Sequence, residues 1–150
     1  MAEAADTLTH PILGVLTRVG GRWATQYELP GGEKLDVRIS PGGGDRDAFL
    51  KRAADLFLWA LENERRVLRH AIEVYLLGLY NDGWRDEADP ALDADEFEGA
   101  LEWGLLTLSA SEIVPVEFWY DDGERELFGG HAIVVQLDAE LKHRSAHLVG

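Results

Sequence analysis

From Asp45 to Tyr80 the chain carries a helical hydrophobic pattern, and this stretch constrains the fold more than any other feature. Phe49, Ala53, Phe57 and Leu61 recur at four-residue spacing, as do Leu68, Ile72 and Leu76, with Tyr75 and Leu79 alongside. Asp45 is suited to cap the first free amides, and Glu62 with Arg66 makes a favourable i,i+4 pair. One unbroken helix of 36 residues would run about 54 Å. A compact domain of this size is only about 40 Å across. The length therefore predicts a break, placed near Asn63, and hence a helical hairpin.

Strand-like segments flank this region. Residues 12–18, 23–29 and 34–40 are separated by Gly20-Gly21 and Pro30-Gly31-Gly32, and in the third Leu35, Val37 and Ile39 alternate with polar residues. They predict an N-terminal three-stranded antiparallel meander. Pro41 to Gly44 ends it. The glycines invite a phosphate-binding loop, but no Gly-Lys-Ser/Thr follows and Asp45 sets a carboxylate where a phosphate would sit. After the helical region, Asp93 with Glu96 makes a capping-box variant that opens a short acidic helix reaching about Trp103. Residues 105–108, 116–120, 132–137 and 144–149 read as C-terminal antiparallel strands, with a turn at Asp121-Asp122-Gly123. The expected class is α+β, in one domain covering residues 1–150.

Composition narrows the function. A chain of 150 residues, 46% hydrophobic, has enough apolar content for a real core and is not disordered. It has no cysteine, so no disulfide and no thiolate chemistry. No uncharged apolar run approaches a membrane span, and residues 1–10 carry no lysine or arginine, unlike a signal peptide. The formal net charge is −14, and it is local: residues 81–126 hold 15 acidic and 2 basic side chains. Such a field argues against nucleic acid and anionic membranes as partners. It would attract a basic protein surface.

Individual residues refine this expectation. Asp95, Glu98 and Glu102 fall on one face of the expected short helix. Glu98 and Glu102 would repel each other there, so neutralising both is expected to raise the melting temperature. Asp86, Glu87 and Asp89 add acids nearby. Trp119 shares a strand face with Glu117, opposite Val116, Phe118 and Tyr120, as an interface anchor would. Asn81 or Gly83 is suited to a left-handed helix end, and Trp84 to plugging the core. His131, after Gly129-Gly130, shares strand parity with Ile133, Val135 and Leu137. His143 and His147 stand about 13 Å apart if extended, too far to share a metal. No EF-hand, zinc, nucleophile-elbow, kinase or dinucleotide signature occurs, so neither a catalytic residue, a metal site nor a cofactor is read from the chain.

Taken together, His10-Pro11-Ile12-Leu13-Gly14, Tyr80-Asn81-Asp82-Gly83-Trp84, Glu96-Phe97, the segment Leu127 to Ile133 with its Phe128-Gly129-Gly130-His131 core, and Leu148-Val149-Gly150 resemble a bacterial family known as domain-of-unknown-function family 2262. In that pattern an aromatic often precedes Gly-His, where this chain has Gly129. The resemblance implies a small cytoplasmic α+β protein and brings no activity or site residues with it. Small acidic proteins of this kind are also similar to immunity proteins that neutralise bacterial toxins. The favoured expectation is a non-enzymatic, immunity-type inhibitor that binds a basic partner through Asp86, Glu87, Asp89, Asp95, Glu98, Glu102, Glu117 and Trp119. The alternative is an enzyme or metal-binding protein with a pocket formed by Asn81, Asp82, Trp84 and His131. A homodimer through Trp119 is the third.

Overall fold

The computed structural model describes residues 7–150. The first six residues, part of the stretch compared with a signal peptide, lie outside the described residues. Eight strands form one sheet whose spatial order follows the chain: β1 Thr7–His10, β2 Gly14–Val19, β3 Arg22–Glu28, β4 Lys34–Ser40, β5 Glu102–Ser109, β6 Val116–Asp121, β7 Ala132–Leu137 and β8 His143–Val149. Neighbours are antiparallel except β4 and β5, which run parallel. A parallel pair cannot be joined by a tight turn. The helical region supplies the crossover, so the mixed α+β class holds.

The N-terminal meander has four strands, not three. Thr7–His10 is too short for its alternation to stand out, and the strand expected at 12–18 begins at Gly14. Between them His10 builds the turn, its Nδ1 accepting from the backbone N–H of Ile12 at 3.1 Å and of Leu13 at 3.3 Å. In β4, Leu35, Val37 and Ile39 are fully buried while Lys34, Asp36 and Arg38 face water.

The expected hairpin is one helix. Residues 46–84 stay helical without interruption as α1 Arg46–Ala71, a π-helical turn Ile72–Leu76, α2 Leu77–Leu79 and a second π-helical turn Tyr80–Trp84. Asp45 caps it as expected, accepting from the amides of Asp47 and Ala48. Asn63 does not break it. Its Nδ2 donates to the Trp59 carbonyl at 2.8 Å, and its Oδ1 accepts from Arg66. At about 1.5 Å per residue the helix runs about 58 Å, longer than the roughly 34 Å width of eight strands at about 4.8 Å spacing, and its middle part crosses the sheet. Phe57 meets Tyr27 of β3, Glu64 meets Tyr120 of β6, and His70 meets His143 of β8.

The π turns answer a pattern that an α-helix cannot hold. Residues four apart drift about 40° round an α-helix, so Leu68, Ile72, Leu76 and Tyr80 would wind off the core face. The wider π turns bring them back into line, and all four are buried. No left-handed residue ends the helix. Arg85 turns extended, and its N–H bonds the Tyr80 carbonyl at 2.8 Å.

The short helix α3, Ala94–Gly99, opens with the capping box read from Asp93 and Glu96. It ends before residue 101, and Glu102 and Trp103 belong to β5. The long helix packs on the sheet and α3 packs against the long helix; Glu117 and Trp119 lie on the opposite face of β6 from the buried Val116, Phe118 and Tyr120, a face with no helix over it among the described residues.

Glu64 is a carboxyl on the buried side of the long helix, and Tyr120 O–H donates to it at 2.8 Å. Burial raises its pKa, the Tyr120 hydrogen bond partly opposes that rise, and Glu98 adds to it. The same burial, with Glu64 alongside, keeps the Tyr120 hydroxyl protonated. With the native pKa above 4.5, the folded chain binds this proton more readily than the unfolded one. The stabilisation is full below that value and is lost as pH rises through the native pKa. Glu64→Gln, which still accepts from Tyr120, should raise the melting temperature at pH 7, with the difference from wild type shrinking towards pH 4. Scanning calorimetry at the two pH values checks this; an unchanged or lower melting temperature at pH 7 contradicts it.

Candidate functional site

The acids of residues 81–126 part into three groups. The first is neutralised. Arg69 Nη1 lies 2.7 Å from Asp95 Oδ1 and 3.2 Å from Glu98 Oε1, and Arg65 reaches Glu98 Oε2 at 3.6 Å. Asp95, then Glu73 and Glu98, hold the Arg69 guanidinium more firmly protonated than usual. These pairs tie α3 to α1, so Asp95 and Glu98 of the expected acidic face are paired within the molecule, Asp95 at an exposed position, and Glu102 is not part of that face.

The second group is either hydrogen-bonded within the fold or exposed on a fixed loop. Glu117 sits half-buried on the uncovered sheet face and accepts from Thr107 Oγ1 at 3.1 Å, Trp119 Nε1 at 3.2 Å and Gln136 Nε2 at 2.7 Å. Trp119 stands opposite Val134, which is buried although no helix covers that face. Asn81 clamps Leu92, donating to its carbonyl at 2.9 Å and accepting from its N–H at 3.0 Å. With Arg85 Nη1 on the Asp89 carbonyl at 2.6 Å, this fixes the loop on which Asp86, Glu87 and Asp89 are exposed. Asp82 is exposed as well.

The third group is left uncompensated. Glu102 at the start of β5 lies directly across from Asp121 at the end of β6. Like charges opposite one another destabilise a sheet. Beyond Asp121 the chain turns at Gly123, whose φ is +70° and where a Cβ would stand 2.5 Å from the Ala100 carbonyl oxygen. No other residue type fits both demands. The loop then folds over Asp122, which is 1% exposed and whose Oδ2 accepts from the amides of Phe128 at 3.0 Å and Gly130 at 2.9 Å. Gly129 and Gly130 both take positive φ, which lets those amides converge. Glu102, Asp121, Glu124 and Glu126 thereby line one concavity of about 500 Å³, with Asp122 in its wall. Among the described residues none of the five makes an ion pair; Arg125 lies in the same loop and is exposed.

An aromatic rim adjoins it. Trp119, Gly130 and His131 line a smaller neighbouring hollow that shares Asp121. Trp84 is 42% exposed, so it does not plug the core; its ring rests edge-on against Phe128 at 5.6 Å and His131 at 5.4 Å. His131 precedes β7 and does not join Ile133, Val135 and Leu137 inside. Its Nδ1 is 2.6 Å from the Phe128 carbonyl. Of the expected pocket, Trp84 and His131 come together and Asn81 does not join them. Among the described residues no group of three or more His, Asp or Glu side chains could hold a metal. Sequence reading missed Asp121, Glu124 and Glu126 as members of the site. Their cue was the acid cluster immediately before the paired glycines.

The class defined by these features is a mixed α+β protein, one sheet crossed by one long helix, with an unneutralised acidic end beside a tryptophan. The family model described as "Uncharacterized protein conserved in bacteria (DUF2262)" matches residues 24–148, and the chain belongs to that family. No curated protein and no solved structure matches the chain. Among the described residues no helix is long and apolar enough to cross a membrane.

Glu98 and Glu102, expected from the sequence to repel each other on one helix face, should respond to neutralisation with opposite signs. Glu98→Gln breaks pairs to Arg69 and Arg65 and should lower the melting temperature. Glu102→Gln relieves the pair with Asp121 and should raise stability by about 0.2–1 kcal/mol. Thermal denaturation of the two single variants decides it, and equal signs would contradict the assignment.

Proposed function

We propose that this protein is a non-enzymatic binding protein whose acidic sheet end docks a basic surface on a protein partner, in the manner of an immunity-type inhibitor. The observation that carries the reading is the Glu102–Asp121 pair, two carboxylates directly opposite in a β-ladder with no cation on either among the described residues. A chain selected for stability alone gains nothing from that arrangement. Arg69 and Arg65 neutralise the carboxylates of α3, so the protein does place cations beside acids where they serve the fold.

The surroundings suit a lysine- or arginine-bearing surface. Glu124 and Glu126 extend the negative field, and Trp84 offers a flat apolar ring beside it, the chemistry that takes the stem and head of a basic side chain. Such a field raises the rate of encounter with a basic partner, and salt screens it. A nuclease toxin with a basic cleft is the concrete partner of this kind.

The test is capture of a partner from a bacterial lysate on immobilised protein. Wild type is compared with the variant carrying Glu102→Gln, Asp121→Asn, Glu124→Gln and Glu126→Gln. A basic protein should be retained by wild type at roughly 0.05 M salt, released by roughly 0.5 M, and not retained by the variant. A partner held equally by both forms, or no basic partner at low salt, contradicts the reading.

A further inference from the structure

The other end of β7 carries an opposite charge pattern. There the β7–β8 register shifts between Gln136 and Leu137. In the connecting turn Leu141 has φ +62°, a conformation that costs a leucine strain and that gathers at functional sites. Asp138 holds this turn in place, its Oδ1 accepting from the amides of Glu140 at 2.9 Å and Lys142 at 3.0 Å. Between the turn and α1 lies a cavity of about 400 Å³, within the range of small-ligand sites.

Its lining is amphipathic. Val67, Leu137 and Leu141 give it an apolar side, and Arg66, His70, Lys142 and His143 supply four basic side chains, with no carboxylate among the lining residues. In a chain of net charge −14, that is a local reversal of sign. Arg66 is held ready: Asn63 Oδ1 accepts from its Nε and Nη2, and its guanidinium stands 5.8 Å from the centre of the Trp59 ring. Two of its five N–H groups are thereby used and three remain. His70 and His143 meet edge to face, ring centres 5.2 Å apart. The Nδ1 of His143 is buried with no hydrogen-bond partner. An unpaired buried N–H would be costly, so the neutral ring carries its proton on Nε2 as a donor.

We propose that this cavity binds a small ligand with an oxyanion head, phosphate or carboxylate, on a short apolar stem. Arg66 and Lys142 bind the head, His70 and His143 donate to it, and the aliphatic side takes the stem. This rests on the β7–β8 corner alone and not on the acidic end. Burial, and then His70, hold His143 below its usual pKa. The charged groups around it are Arg66 and His70 on α1, Asp138, Glu140 and Lys142 in the turn, and Arg144 on β8; of the carboxylates, Asp138 is engaged by the turn amides and Glu140 is exposed. Burial and His70 both favour the neutral His143 ring, which meets the anion through its Nε2–H.

Histidine-selective NMR titration of the full chain tests it with four probes: octyl phosphate, octanoate, inorganic phosphate and octanol. Octyl phosphate or octanoate should shift the His70 and His143 imidazole signals saturably, while octanol leaves them in place. Competition by inorganic phosphate against octyl phosphate identifies a phosphate head; its failure beside a saturable octanoate response identifies a carboxylate. Arg66→Gln with Lys142→Gln, both at solvent-facing positions, should weaken binding about tenfold or more. Unmoved signals with both anions, equal shifts with octanol, or an undiminished response in the double variant overturns the proposal.

Discussion

The acidic end depends on one buried ring. Phe128 is fully buried, and Tyr80, Trp84 and Phe97 pack round it with ring centres 6.0, 5.6 and 5.9 Å away. Those partners come from the last turn of the long helix and from α3, while Phe128 belongs to the loop between β6 and β7. Each such aromatic pair contributes about 0.5–1.5 kcal/mol beyond the area it buries. The ring also fixes the backbone on either side of it. Its amide binds Asp122 and its carbonyl binds His131, so the carboxylates that follow Asp121 are displayed on a frame anchored three ways.

Charge is then handled differently on the two sides of that anchor. The carboxylates of α3 face Arg69 and Arg65, forming bridges from an otherwise small helix to the long one. Glu102, Asp121, Glu124 and Glu126 have no ion-pair partner among the described residues. Both sets occupy one stretch of sequence and look alike in composition. What separates them is whether the long helix passes within reach. A helix broken near Asn63 would have placed Arg65 and Arg69 elsewhere, so the continuity of the helix decides which acids are paired with arginine.

Much of the sheet was legible because its strands alternate. Residues 132–137 form β7 with the limits read from the pattern, and Leu35, Val37 and Ile39 point inward as their spacing required. The family, too, could be read from scattered motifs. The helical region was misjudged for a physical reason. Compactness does not forbid a helix longer than the sheet is wide, and the number of strands sharing one sheet was not visible locally. Asn63, a weak helix former alone, is supported by Trp59 and Arg66. Glu102 was misplaced because helical spacing continued past Gly99, where the chain had already turned towards β5. The pairings of Glu102 with Asp121 and of His70 with His143 join segments far apart in sequence, so no local pattern announces them.

The central claim is that negative charge is left uncompensated at one end of the sheet and is available there to a cationic surface. Amide and indole chemical shifts of the isotope-labelled protein, followed while an arginine-rich peptide is added at low salt, address it most directly. The account predicts saturable shifts concentrated at Glu102, residues 121–131 and the Trp84 indole, reversed by added salt. Shifts spread evenly over the surface, or concentrated on α3 around Asp95 and Glu98, would contradict it.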